Sequence, residues 1–349
     1  MKTKRLEIVG ERSSSLITVG ESFSNVGNYL PENNVYIITD QNVFDLYSHD
    51  FPDFPVIKIR AGEEFKDLDT VQNIFKELLE SGADRYSFIL AVGGGVVSDI
   101  AGFVASTYMR GIRFGFISTS LLSQVDASVG GKNGVNLGDV KNIIGVFNQP
   151  EFVLCDPTVL STLPERELIS GFAEVIKYSL IWDLELFVEI ERNFNKLLKL
   201  DPEFIQKIVW TSINIKKEVV EQDELEGGLR RILNFGHTFG HALEAEYGYQ
   251  ELKHGEAVIL GMKCALQYAS LTNKISADDY GRGMSLLDRV PVDYDKSQID
   301  LDKLLDRMYV DKKVADKNIR LVLVDKIGHC SIIKESNSSI VKKAFEILL

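Results

Sequence analysis

The hydrophobic pattern of this chain changes period once, from Pro164 onward, and the domain boundary is expected near Asp156-Pro157. Before that point, short apolar runs at residues 35–39, 88–92 and 113–119 alternate with a helical segment at 68–80. In that segment Leu68, Val71, Phe75, Leu78 and Leu79 recur at helical spacing. The alternation predicts an α/β layered domain over residues 1–156. Beyond it, long stretches of 3.6-residue periodicity follow one another at 165–181, 184–200, 202–221, 229–247 and 255–271. Asp201-Pro202 is a helix-start signal. Only residues 319–324 and 330–333 read as strands there, so residues 157–349 are expected to form a mainly helical domain.

The totals exclude several classes of function. The chain has 349 residues and a net charge of −12, which argues against nucleic acid as a partner. Cys155, Cys264 and Cys330 are widely spaced and form no CxxC, as expected of reduced thiols in a cytoplasmic protein. The start MKTKRLEIVGERSSS has no apolar run after its basic residues and does not read as a signal peptide. No stretch of ~18 apolar residues exists, so no membrane span is expected. Lys263 interrupts the nearest approach, at 257–270.

His237, His241 and His254 lie close together in a chain with five histidines. On a continuous helix, Arg230, Asn234, His237 and His241 would fall on one side, within about 60°. A core-facing stripe is normally apolar, so this one calls for polar partners. In Gly171-Phe-Ala-Glu174-Val-Ile-Lys177 a carboxylate and an ammonium stand at i, i+3 among apolar neighbours. Such a pair is a surface ion pair or a buried acid matched with a cation. Glu174 with His237 and His254 would make a His₂Glu set that leaves one coordination position open, with His241 as a fourth candidate. No HExxH occurs, which sets aside the common zinc peptidases. His49 and His329 read as loop and turn residues.

Gly93-Gly94-Gly95-Val-Val-Ser98-Asp99 follows a strand and opens a helix expected at 96–108. It either lets the backbone approach a pyrophosphate at the helix N-terminus or is a plain tight turn, since Ser98 breaks the strict GxGxxG. Asp40 ends a strand and either accepts from ribose hydroxyls or is a turn aspartate. The Gly-rich stretch 128–138 fails the P-loop pattern, with Asp126 at the first glycine position and Asn133 in place of Ser/Thr. With Lys132, Lys141 and Asn142 it reads as a flexible segment suited to gripping an anion, or as a solvated loop. Asp311-Lys312-Lys313 follows an apolar helix at 301–310.

Taken in order, these blocks resemble the 3-dehydroquinate synthase family of sugar-phosphate cyclases across nearly the whole chain. The resemblance rests on AVGGGVVSDIAGFVASTYMRG (91–111), TSLLSQVDASVGGKNGVN (119–136), KNIIGVFNQP (141–150), TLPERELISGFAEVIKYSLIWD (162–183), GLRRILNFGHTFGHALEAEYGY (228–249), HGEAV (254–258) and DKKV (311–314). It implies a Rossmann-like NAD-binding α/β domain followed by a mainly α-helical domain that binds metal and substrate. It also implies tightly held NAD, one divalent metal (zinc, or cobalt), and a homodimer. The implied reaction is a step of the shikimate route to aromatic amino acids. It converts 3-deoxy-arabino-heptulosonate 7-phosphate to 3-dehydroquinate and phosphate by transient oxidation, β-elimination, re-reduction, ring opening and intramolecular aldol closure.

Carried over residue by residue, the resemblance makes Glu174, His237 and His254 the metal ligands. NAD would lie against Asp40, Glu63, Lys66, Gly94, Gly95, Asp99, Thr119, Ser120 and Thr162, with Lys132 and Lys141 within reach. Asp126, Lys132, Lys141, Asn142, Lys177, Arg230 and Asn234 would hold substrate, with Lys312 or Lys313. Arg110 would reach the partner subunit's phosphate pocket. Glu226 and His241 match positions assigned to proton transfer, and Lys132 and Lys177 join them as catalytic groups. Ser98, Ser120 and Asn133 depart from the family's common Gly, Thr and Thr without removing a catalytic group. The nearest alternatives are a cyclase acting on a substrate without a carboxylate, a polyol dehydrogenase of the glycerol dehydrogenase type, and a NAD-binding regulator with a decayed site.

Overall fold

The computed structural model describes residues 2–10, 13–138, 140–248, 251–310, 319–335 and 337–349. It contains two compact units. The first joins residues 1–163 to residues 200–225, and the second joins 164–199 to 226–349.

The first unit is built on a seven-stranded sheet. Its strands are β1 (Lys4–Val9), β2 (Ser14–Val19), β3 (Val35–Asp40), β4 (Val56–Ile59), β5 (Phe88–Gly93), β6 (Arg113–Ser118) and β9 (Phe152–Cys155). They lie in the order β1-β2-β9-β6-β5-β3-β4. β1 pairs antiparallel with β2, and every other pairing is parallel. All six residues of β5 are buried, as a parallel sheet covered on both faces requires. Val35, Ile37, Phe88, Leu90, Val92, Ile117 and Leu154 form one side of the core. Each fully buried aliphatic of this kind contributes about 1.5–3 kcal/mol, before the entropy of ordering it is subtracted. The helices α1 (Gln41–Tyr47), α2 (Leu68–Glu80) and α3 (Gly95–Thr107) follow β3, β4 and β5. Asp67 caps α2 by accepting from Thr70 N at 2.7 Å, a contact worth about 1 kcal/mol.

Two features of this unit depart from the sequence expectation. The Gly-rich stretch is not a loose loop. Its residues form β7 (Lys132–Leu137), which pairs antiparallel with β8 (Val140–Phe147). Asn133 is buried and its amide donates to Gly131 O at 3.0 Å and Asn148 O at 2.8 Å, tying the base of the ribbon. The compact units also differ from a single cut at residue 156, because the chain returns. After α4 (Glu165–Ile181) and α5 (Leu184–Leu198), the helix α6 (Pro202–Gln222) packs on β1 and β2 of the first unit. Asp201 caps it through Phe204 N at 3.0 Å, and Ile205, Ile208, Val209, Ile213 and Val219 are buried. Gln206 Nε2 donates to Lys2 O at 2.8 Å, and Glu221 Oε1 accepts from Val9 N at 2.9 Å. Periodicity identifies such a helix but not the layer it joins.

The second unit is mainly helical. Besides α4 and α5 it holds α7 (His237–Glu246), α8 (His254–Leu271), α9 (Ala277–Asp288), α10 (Leu301–Val310) and α11 (Ser338–Phe345). A two-stranded ribbon of β10 (Ile319–Lys326) and β11 (His329–Glu335) completes it. The expected continuous helix over 229–247 is broken. Leu229–Asn234 forms a 3-10 turn, Gly236 takes a φ of 79°, and α7 starts at His237. A side chain at Gly236 would be strained by that φ and would meet Met262 Cγ at 2.5 Å. Arg230 and Asn234 therefore precede the helix that carries His237 and His241.

Candidate active site

In the first unit, the sheet order explains why particular loops meet. The chain runs from β3 outward to β4, then crosses back to β5 and continues through β6 to β9. The carboxyl ends of the neighbours β3 and β5 are thus the point where strand order reverses, the usual place for a ligand crevice in an open α/β sheet. Asp40 ends β3, and the glycine turn ends β5. Gly94 takes the N-cap position of α3 in an extended conformation, and Gly95 is the first helical residue. An added Cβ would approach Ser120 Oγ at Gly94 and Ala127 Cβ at Gly95, each at 3.2 Å. Asp40 also caps α1 through Val43 N at 2.9 Å, and burial raises its carboxyl above the ordinary range. It serves the turn whatever else it binds.

Beside the turn lies a closed polar web. Lys66 Nζ contacts Asp99 Oδ2 at 2.5 Å and donates to Asn142 Oδ1 at 2.6 Å. Asn142 N donates to Asn136 Oδ1 at 2.8 Å, and Asn136 Nδ2 to Glu63 Oε1 at 2.9 Å. Lys66 is 5% exposed. Burial lowers its pKa, but Asp99 and Glu63 outweigh that and hold the ammonium above its usual value. Burial lifts the Asp99 carboxyl while Lys66 pulls it down. At this separation the two form a charge-assisted hydrogen bond, ammonium to carboxylate.

Thr119 N donates to Gly93 O at 2.9 Å, and Ser120 Oγ accepts from Ser123 N at 3.2 Å. The hydroxyl of Ser98 reaches back to Gly94 O at 3.2 Å and Gly95 O at 3.1 Å. Thr162 Oγ1 shares a 2.6 Å hydrogen bond with Tyr47 OH. Lys132 is exposed at the start of β7, Lys141 is half-buried in β8, and Asn142 takes a φ of 53°. Asp126 is paired with Lys216 of α6, whose Nζ also donates to Asp126 O at 2.7 Å. Sequence reasoning missed Lys216. Its only signal is a lysine on the buried face of an amphipathic helix. Arg110 stands apart from this group. It is exposed, with a φ of 70°, just beyond the far end of α3. That helix is 13 residues long, which separates Arg110 from the glycine turn by roughly 20 Å.

In the second unit, three helices bring the imidazoles to a carboxylate. His237 is the first residue of α7, His254 the first of α8, and Glu174 sits in the middle of α4. Backbone-to-backbone packing sets their spacing. A Cβ at Gly255 would lie 2.2 Å from Ser170 Cα, and one at Gly261 would lie 2.1 Å from Gly236 O. Only glycine permits these approaches, of α8 to α4 and to the turn before α7. Ligating atoms of Glu174, His237 and His254 consequently lie within 4.8 Å of one another. His237 Nε2 is 3.6 Å from Glu174 Oε1. The His237 ring centroid is 5.5 Å from that of His241 and 5.3 Å from that of His254.

Glu174 and Lys177 are each 1% exposed and form the i, i+3 ion pair. Burial first, then Lys177, His254 and His241, push the His237 pKa well below its usual value, so the ring is neutral. Its Nδ1 donates to Phe235 O at 3.1 Å, since a carbonyl can only accept. The Nε2 lone pair is thereby left toward Glu174. Two imidazoles and a carboxylate in this arrangement suit a zinc-like divalent ion with an open position.

Arg230 is 2% exposed, while Asn234 and His241 are exposed. Asn234 Nδ2 donates to Glu226 Oε1 at 2.8 Å, and Arg231 Nε to Glu226 O at 3.3 Å, steadying a residue whose φ is 61°. Sequence reasoning also missed Glu244, buried and 3.4 Å from His254 Nδ1. Its signal was available. It lies seven residues after His237, two helical turns along the same face. Lys312 and Lys313 lie outside the described residues.

Comparison with known proteins covers both units. Residues 56–170 match the family model described as 3-dehydroquinate synthase N-terminal, and residues 171–314 the one described as 3-dehydroquinate synthase C-terminal. A 3-dehydroquinate synthase of Caldanaerobacter subterraneus subsp. tengcongensis is 42% identical over 344 residues, 95% of this chain and 97% of that protein. Among solved structures, a 2-deoxy-scyllo-inosose synthase complexed with carbaglucose-6-phosphate, NAD+ and Co2+ superposes with a TM-score of 0.88. It is 26% identical, with 99% of this chain and 100% of that one covered. A 2-epi-5-epi-valiolone synthase from Streptomyces hygroscopicus subsp. jinggangensis with NAD+ and Zn2+ bound gives 0.87 and 27%, with 99% of each covered.

Proposed function

The chain belongs to the 3-dehydroquinate synthase family, and from that premise we propose that it converts 3-deoxy-arabino-heptulosonate 7-phosphate to 3-dehydroquinate and phosphate. The observation that carries the reading is the convergence of Glu174, His237 and His254 within 4.8 Å, in a chain alike to such enzymes over 95% of its length. One divalent ion would supply Lewis acidity toward a substrate hydroxyl, and NAD a recycled hydride acceptor.

Glu174, His237 and His254 are the residues that would hold the ion. Lys177 balances the buried carboxylate charge and presents an ammonium for substrate oxygen. His241 and Glu226 would pass the proton of the hydroxyl being oxidised; both are accessible enough to exchange it with water. Arg230 offers a planar fork that suits a carboxylate, and Asn234 an amide beside it. Lys132, Lys141 and Asn142 on the ribbon, with Asp126, would grip the phosphorylated substrate. Asp40, Glu63, Lys66, Gly94, Gly95, Asp99, Thr119, Ser120 and Thr162 would line the dinucleotide, with Lys132 and Lys141 reaching it. The protein's contribution is orientation and charge stabilisation.

The finer expectations belong to the same proposal: a homodimer in which Arg110 serves the partner's site, Lys312 or Lys313 at the substrate, and a cytoplasmic setting. None of the helices among the described residues is long and apolar enough to cross a membrane.

The test is incubation with the heptulosonate phosphate, NAD and zinc, following phosphate and NADH together. Phosphate release without net NADH is expected. Accumulating NADH without phosphate would mark a dehydrogenase instead. Equal turnover of a substrate lacking the carboxylate would move the chain to another cyclase.

A further inference from the structure

We propose that Glu244 is a positioning residue for the metal site: its buried carboxylate takes the Nδ1 proton of His254 and leaves Nε2 to face the ion. The inference rests on the reading of Glu174, His237 and His254 as the ligand set.

Glu244 is 1% exposed and lies in the last turn of α7. A carboxylate there is opposed twice, by burial and by the negative end of the helix dipole. What lies before it is the His254 ring, with Nδ1 3.4 Å from Glu244 Oε1. That distance is long for a hydrogen bond and within the reach of an ion pair. The two imidazoles of the set then share one design. His237 donates a hydrogen bond from Nδ1–H to the Phe235 carbonyl at 3.1 Å, and His254 would donate its own toward Glu244. Each ring is held in the tautomer that offers Nε2. A carboxylate acceptor also makes the imidazole a stronger donor to the ion than a carbonyl does.

A competing arrangement uses the same atoms. Ligating atoms of His241, Glu244 and His254 also lie within 4.8 Å of one another. As a second ion site, this group would take the His254 nitrogen that faces Glu244 and force one ring to bridge two cations as an imidazolate. It would also depend on His241, which is exposed. The positioning role needs neither.

The test uses the full chain with NAD, titrated with Zn2+ against a chromophoric chelator and with Co2+ followed by its visible spectrum. Wild type should take one equivalent. Glu244→Ala should bind about 10–100-fold more weakly, with altered cobalt bands. Glu244→Gln, which still accepts from Nδ1–H, should recover much of the loss. Unchanged affinity and spectrum in Glu244→Ala would overturn the proposal. So would a wild type that takes two equivalents, one of them lost in both variants. If Glu244→Ala does not fold, the cobalt-loaded wild type decides by proton NMR in water. Two exchangeable, paramagnetically shifted Nδ1–H signals are expected, and a single one rejects the role. A wild type that binds no ion instead removes the ligand set itself.

Discussion

Two buried lysine–carboxylate pairs, one in each unit, lie in opposite surroundings. Lys66 meets Asp99 within a web of asparagine amides, and Asn142 Oδ1 accepts a further hydrogen bond from the ammonium. Lys177 meets Glu174 beside three imidazoles, one of them held neutral by burial. The first environment completes itself with side-chain hydrogen bonds. The second gathers lone-pair donors, and donors gathered about a buried acid are a demand for a cation. The lesson is that burial of an ion pair does not by itself tell whether a metal ion is called for. The neighbours do.

The sharpest way to break this comparison is at the imidazoles. His254→Ala should lose divalent-ion binding and lower the rate of phosphate release by at least about 10³-fold, the equivalent of several kcal/mol of lost charge stabilisation. Wild type treated with a chelator should behave alike. Full turnover of either without metal would abolish the distinction between the pairs.

The second comparison is of stability. Removing one partner of a buried pair costs about 3–5 kcal/mol. Lys66→Met should show that loss in urea unfolding equally with zinc and with chelator. Lys177→Met should show it mainly with chelator, because a bound ion compensates Glu174. An identical zinc response in the two variants would merge the pairs into one class.

These contrasts were only partly legible in the sequence. The helices around Glu174 and Pro202 could be read because apolar spacing and an Asp-Pro start are local signals. Asp40 and the glycine turn could be read as strand ends, although their adjacency comes from strand order. The break at Gly236 could not, since the periodicity runs through it and the close approach that excludes a side chain there comes from Met262 in another helix. Lys216 and Glu244 show in the sequence only as a lysine on a buried helix face and a glutamate two turns after His237, because their partners, Asp126 and His254, come from other segments. In the sequence the ribbon of β7 and β8 reads as a flexible anion-gripping segment or a solvated loop, because its glycines mask a strand pattern that cross-strand pairing restores.

Smaller effects separate the two units at their glycines. Gly255→Ala places a Cβ 2.2 Å from the Ser170 backbone. It should cost about 1–3 kcal/mol by overpacking, and should weaken ion binding as α8 moves off α4. Gly94→Ala meets the Ser120 side chain, with Oγ at 3.2 Å and Cβ at 3.5 Å. It should change melting by less than about 1 kcal/mol while raising the dissociation constant for NAD. A Gly94→Ala variant with unaltered NAD affinity would remove the turn from the dinucleotide contacts.

The return of α6 to the first unit has a bearing on how such chains can be exchanged. A fragment ending at residue 163 lacks the helix that covers β1 and β2 and supplies the cation for Asp126. Chimaeras between relatives made with one crossover would therefore pair a sheet with a foreign cover. Swaps that carry residues 200–225 along with the N-terminal portion keep that inherited pairing intact.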